Sequence, residues 1–203
     1  MTSEVKDQRA LPDRLRLPLM IDAALLAADL ARLASLQWTM HFVPENFSGR
    51  WDVLPLRAPA GAVHPILRIT STPGCDRWED TEIRGMCPAI SALLDRLECP
   101  LGAVRLMRLT AGSVINEHSD PDLSAEQGTA RLHVAITTNP DVDFRINHRR
   151  VDMRPGELWY VRLSDPHSVS NRGTSDRVHL VIDAAINPWL SDLLVAATDA
   201  AKS

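Results

Sequence analysis

The chain has few cysteines, no long apolar run and no excess of basic charge, and each shortage removes a class of protein. Cys75, Cys87 and Cys99 are an odd number set twelve residues apart, which fits neither a disulfide framework nor the close thiolate pairs of a zinc knuckle. Free thiols in a reducing compartment are expected instead. No apolar stretch approaches the roughly 20 residues that a membrane helix needs, and Met1 to Arg16 is polar where a signal peptide has its apolar centre. The expected setting is the cytoplasm, with no membrane partner. A formal net charge of -4 and a pI near 6.0 advertise no surface for nucleic acid, so the expected partner is a small molecule. There is no internal repeat, low-complexity tract or linker, and 203 residues with 45% hydrophobic content suit one domain around one sizeable core.

What is present falls into three stretches: an amino-terminal part of helix and strand over 1–100, a strand-rich core over 101–186, and a closing helix over 187–203. Asp22 to Gln37 carries Leu25, Leu26, Leu30, Leu33 and Leu36 at helical intervals, with Asp22 placed to cap them. Cys87 to Glu98 spaces Ile90, Leu93, Leu94 and Leu97 on one face behind Pro88, and predicts a second helix. Short strands are expected between Trp38 and Arg57, and His64 to Thr70 reads as extended. From Gly102 onward, short alternating segments separated by turns read as an antiparallel sandwich or barrel. The expected strands are Val104 to Leu109, Ala130 to Thr138, Val142 to Ile146, Arg150 to Met153, Leu158 to Arg162, His167 to Ser170 and Arg177 to Ala184, with turns at Asn147–His148 and Pro155–Gly156.

The informative polar residues follow the two-residue period of a strand. His118 and Asp120 leave the same face if Glu117 to Asp120 is extended, and His167 follows 47 residues after Asp120 at the mouth of an expected strand. Two imidazoles and one carboxylate brought together make a facial triad. Three protein ligands on one face of an octahedral ion leave three positions for a bidentate oxoacid and dioxygen. The plainer alternative is a surface histidine, a turn aspartate before Pro121 and a turn histidine after Pro166. On Arg177 to Asp183, Arg177, His179 and Val181 share one face while Val178, Leu180 and Ile182 form the apolar other. A buried guanidinium needs an anion, so Arg177 is either a dicarboxylate anchor or half of an ion pair with Asp183 or Glu157. Arg131 and His133 share a face in the same way on Ala130 to Thr138, as cofactor contacts or as a structural network.

From Arg105 to Leu190 the chain carries E-H-S-D, R-L-H, P-G-E-L-W-Y, D-P-H-S-V-S-N-R-G and R-V-H-L-V-I-D in order. This series resembles the aspartyl/asparaginyl β-hydroxylase family of 2-oxoglutarate-dependent dioxygenases. Trp38-x-x-His41 and Gly49-Arg50-Trp51 followed by Leu56-Arg57 look like the amino-terminal part of its bacterial members. The resemblance implies a mainly β protein with flanking helices, built on a double-stranded β-helix of the jelly-roll or cupin-like kind. It implies iron(II) at His118, Asp120 and His167, 2-oxoglutarate gripped by Arg177 and met near the metal by Arg131 and His133, and O2 as the oxidant. The implied activity is hydroxylation of an amino acid, an amino-acid derivative or a peptide side chain. Bacterial relatives of this look include hydroxylases of free proline with a longer carboxy-terminal segment, which turns the expectation here toward other amino acids, acylated amino acids or peptides. His41, Arg57 and Trp159 are the candidates for substrate contact. The alternatives are a non-catalytic oxoacid-binding barrel and a cupin-type metalloenzyme that does not use 2-oxoglutarate.

Overall fold

The structure is a computed structural model that describes residues 11–70 and 75–202; the first ten residues of the polar start read over Met1 to Arg16 lie outside the described residues. Two antiparallel sheets face each other. The larger runs in the order β1 (Arg14–Met20), β11 (Glu157–Val161), β8 (Thr129–Thr137), β13 (Arg177–Ala185), β6 (Leu101–Leu109), β4 (Trp51–Pro59) and β2 (Thr39–Met40), with β5 (Trp78–Asp80) also paired to β4. The smaller runs β10 (Arg149–Arg150), β9 (Val142–Ile146), β12 (His167–Asn171), β7 (Val114–His118) and β3 (Phe47–Ser48). This is the double-stranded β-helix that the motifs imply, as two facing sheets.

Strand periodicity divides the apolar residues into two cores. Leu132, Val134, Leu180 and Ile182 point from the larger sheet toward α1 (Ala23–Arg32), α3 (Pro88–Leu94) and α4 (Pro188–Ala200), where they meet Leu26, Ile90 and Leu190. The alternate residues, among them Ala135 and Val181, face the smaller sheet and pack with Phe144, Ile146 and Val169. The helices therefore close one face of the larger sheet and leave the space between the sheets for a site.

Several elements differ from expectation for local reasons. His64 to Thr70 is not extended: Pro65 sets the first turn of α2 (Pro65–Ile69), and the His64 ring accepts a hydrogen bond from Ile66 N–H at 3.2 Å. Helix α1 begins on its Asp22 cap but ends at Arg32, short of Gln37. Of the expected strand Arg150 to Met153 only Arg150 lies in a strand, the two-residue Arg149–Arg150, just after Asn147 and His148 turn the hairpin at φ 48 and 60. Strand β1 lies in what reads as a polar start. Its Leu15 and Leu17 are buried while Arg14, Arg16 and Pro18 are not, and the register shifts between Arg16 and Met20, where Pro18 removes a donor on this edge strand. Gly156, at φ 85, lets the β11 turn approach the end of β1: a Cβ there would stand 2.2 Å from the Ile21 carbonyl oxygen.

Candidate active site

His118 ends β7 and His167 begins β12, and the two are directly opposite each other in the antiparallel pairing. Their rings lie 4.2 Å apart between centroids. Asp120 follows two residues on, its N–H donating to the Leu163 carbonyl at 2.8 Å. The ligand atoms of His118, Asp120 and His167 all lie within 4.8 Å of one another, a spread that side-chain rotation closes onto a single ion. Each ring is held in the tautomer that ligation requires. His118 Nδ1–H donates to Asn116 O at 2.8 Å and His167 Nδ1–H to Asp165 O at 3.0 Å, so both present the Nε2 lone pair. Asp120 divides its oxygens: Oδ2 accepts from Arg131 Nη1 at 3.2 Å, while Oδ1 faces His118 Nε2 at 4.0 Å.

The triad lines a cavity of about 320 Å³ between the sheets, whose walls also include Arg131, His133, Phe144 and Arg177. Arg177 is 3% exposed and has no carboxylate at ion-pair distance among the described residues. Its Nη2 donates to His179 Nδ1 at 2.9 Å, its Cζ sits 5.4 Å from the Phe144 ring centre, and its Nε has no partner. Burial alone pulls its pKa down to about 9. Neither carboxylate weighed from the sequence pairs with it. Glu157 is taken by Arg16 and the Trp159 indole, and Asp183 by Arg105 and Arg131.

The reason Asp183 escapes Arg177 is register. Asp183 lies directly opposite Arg131 on the neighbouring strand, and six residues along β13 separate it from Arg177, about 20 Å of strand. Arg131 grips it through Nε at 2.6 Å and Nη2 at 3.0 Å, and Arg105 Nη2 joins from the other side while its Nη1 donates to Ile69 O at 3.0 Å. Arg105 is a cavity residue that the sequence reading missed; it shares the inward face of β6 with Met107, a position open to the same two-residue parity. Removing the charge of Asp183 leaves the buried Arg105 guanidinium without a carboxylate and Arg131 with Asp120 alone. Asp183→Asn is expected to cost about 3–5 kcal/mol of stability, read as a lowered urea midpoint.

Burial also holds the histidines neutral. It pushes His167 to about 4, with a smaller downward pull from the neighbouring His118, and His133 and His179 well below the usual imidazole range, helped by the Arg177 charge. In the unfolded chain all three return toward 6.5, so below that pH the unfolded state binds more protons than the native state. This contribution to stability is complete above pH 6.5 and is lost as the pH falls toward 4, by up to about 1.4 kcal/mol per pH unit for each ring. The metal-free protein should melt several degrees lower at pH 5.5 than at 7.5 by calorimetry. A flat profile would mean that these rings are charged in the native state.

Of the expected substrate contacts, His41 lines the cavity, stacked on Trp51 with centroids 3.6 Å apart and an interplanar angle of 7°; burial, with the charges of Arg105 and Arg131, takes it to about 3. Arg57 and Trp159 are not among the lining residues. Arg57 pairs with Asp80, which faces it across β4 and β5, and donates to the Trp78 and Leu101 carbonyls. The Trp159 indole N–H donates to Glu157 at 3.0 Å. The buried Nε2 of His133 has no partner among the described residues, and its Nδ1 lies 3.5 Å from His179 Nδ1.

Residues 26–186 match the model of the aspartyl/asparaginyl beta-hydroxylase family. An L-proline cis-4-hydroxylase from Rhizobium meliloti (strain 1021) is 25% identical over 166 residues, which are 80% of this chain and 57% of that protein, so the chain spans a little over half of that relative's length. Among solved structures, an oxidoreductase of the 2OG-Fe(II) oxygenase family from Burkholderia pseudomallei superposes with a TM-score of 0.59 at 15% identity, covering 85% of both chains. A prolyl-4-hydroxylase from Pseudomonas putida superposes at 0.50 and 14% identity, covering 86% of this chain and 93% of that one. At such identities the superpositions establish the fold.

Proposed function

The chain belongs to the aspartyl/asparaginyl β-hydroxylase family, and from that premise we propose that it is an iron(II)- and 2-oxoglutarate-dependent hydroxylase of an amino acid, an amino-acid derivative or a peptide side chain. The observation that carries this reading is the meeting, in one cavity, of three side chains able to hold a metal ion with a buried arginine that has no carboxylate partner among the described residues. His118, Asp120 and His167 would hold the iron, Arg177 the far carboxylate of 2-oxoglutarate, and Arg131 and His133 would line the co-substrate's path to the metal. When bound, the iron and its co-substrate supply the oxidising power that breaks a C–H bond, with succinate and carbon dioxide as co-products.

The chain's own residues orient and exclude. The backbone carbonyls of Asn116 and Asp165 fix the two rings, Arg131 keeps one oxygen of Asp120 from ligation, and the apolar walls around Phe144 and Val181 keep bulk water from the reacting carbon. His41, which lines the cavity stacked on Trp51, would contact substrate. No helix among the described residues is long and apolar enough to cross a membrane. A cytoplasmic setting belongs to the same reading, because a reducing compartment keeps both iron and thiols reduced. The test is succinate release by the purified protein with iron(II), 2-oxoglutarate and ascorbate, across a panel of free and N-acylated amino acids and short peptides. Stimulation by one class identifies the substrate. No release with any of them, and no thermal shift with 2-oxoglutarate, would sink the proposal.

A further inference from the structure

Behind Arg177 lies a second cavity of about 310 Å³, nearly as large as the one holding the triad, and the two share only Phe144 and Arg177 as walls. Its inner end is formed by Arg177 and His179, 3% and 2% exposed, and its flank by apolar Val142, Val151 and Met153. At its rim stand the exposed Arg150 and Arg154, with Asp152 as the one acid among the lining residues. The walls therefore carry three guanidiniums and one carboxylate, 3 - 1 = +2, with His179 held neutral by burial. Elsewhere in the fold the buried or half-buried arginines Arg105, Arg108 and Arg131 each meet a carboxylate. Among the described residues, none of Arg150, Arg154 and Arg177 has an ion-pair partner. Arg150 donates only to the Pro140 carbonyl at 3.1 Å, and Arg177 only to His179.

We infer that this second cavity is a site for a small, weakly hydrated monovalent anion of the halide kind, paired with Arg177 from the side away from the triad. A buried guanidinium is stable only with an anion close by, and a cleft with low-dielectric walls and net positive charge concentrates one. The apolar flank and Asp152 disfavour a multiply charged or strongly hydrated ion, whereas guanidinium, itself weakly hydrated, suits a weakly hydrated partner. On the hydroxylase reading, such an ion and 2-oxoglutarate oppose each other at Arg177. That consequence rests on the reading, and the binding itself does not.

The test uses metal-free full-length protein without co-substrate, so its outcome is independent of any turnover. Its melting temperature is compared in 100 mM sodium bromide and in sodium gluconate of equal ionic strength. Gluconate is too large and too hydrated for the site. The wild type is expected to melt about 3 °C higher in bromide. Arg154→Glu and Arg150→Glu change exposed side chains and should leave the melting temperature in gluconate within about 1 °C while cutting the bromide response to a third or less. Met153→Trp fills the cavity and should remove the response altogether. No bromide response in the wild type overturns the inference. So does a response of equal size in the two arginine variants, which would place the ion in the cavity that holds the triad.

Discussion

Asp120→Ala is expected to lower succinate release by more than about 10³-fold while leaving the fold intact, and His167→Ala to do the same. Removing even the outer partner of a metal ligand typically costs 10- to 100-fold in metal affinity, and losing a ligand outright costs more. Asp120 tolerates the change structurally because its side chain is 35% exposed; among the described residues its ion-pair partners are Arg131, already held by Asp183, and the His118 ring. His167 is nearly buried, but its loss opens into the cavity rather than into a packed core. The paired measurement is metal content after anaerobic loading, beside circular dichroism. Full iron occupancy and normal turnover in Asp120→Ala would remove the carboxylate from the ligand set and leave a two-histidine site.

How much of this was legible without coordinates depended on the range of the interaction. Parity along one strand is a local property, so Arg177, His179 and Val181 on the inner face of β13, and Arg131 with His133 on β8, follow from spacing alone. The pairing of His118 with His167 is a long-range register, and only the ordered motifs pointed to it. Partner choice was the least visible. Asp183 looked as available to Arg177 as to Arg131, and only the alignment of β13 against β8 assigns it. The pairing of Arg57 was hidden for the same reason, since its partner Asp80 is 23 residues away and faces it through a strand of only three residues. The Arg-Leu alternation of β1 was readable, but a proline within it and its place before the first helix made it look like a tail. His64 to Thr70 shows the reverse error, where aliphatic β-branched residues suggested a strand and a proline at a helix start decided otherwise.

Arg177→Met should separate a ligand-binding charge from a structural one, because it is expected to impair function while stability holds or increases. If Arg177 holds the far carboxylate, its loss removes a bidentate charge-assisted pair worth about 3 kcal/mol or more, and the KM for 2-oxoglutarate should rise at least about 100-fold, with a smaller change in kcat at saturation. Stability should hold or increase. The native guanidinium is buried with no carboxylate and an unpartnered Nε, so an apolar side chain of similar length beside Phe144 relieves a desolvation cost without orphaning an acid. The one group left behind is His179 Nδ1, which still has His133 Nδ1 at 3.5 Å. Asp183→Asn provides the contrast, since there the charge removed is the counterion of two arginines and stability falls. Should Arg177→Met lower the urea midpoint as far as Asp183→Asn does while the KM stays put, Arg177 would be a structural residue and the co-substrate would have no anchor in this cavity.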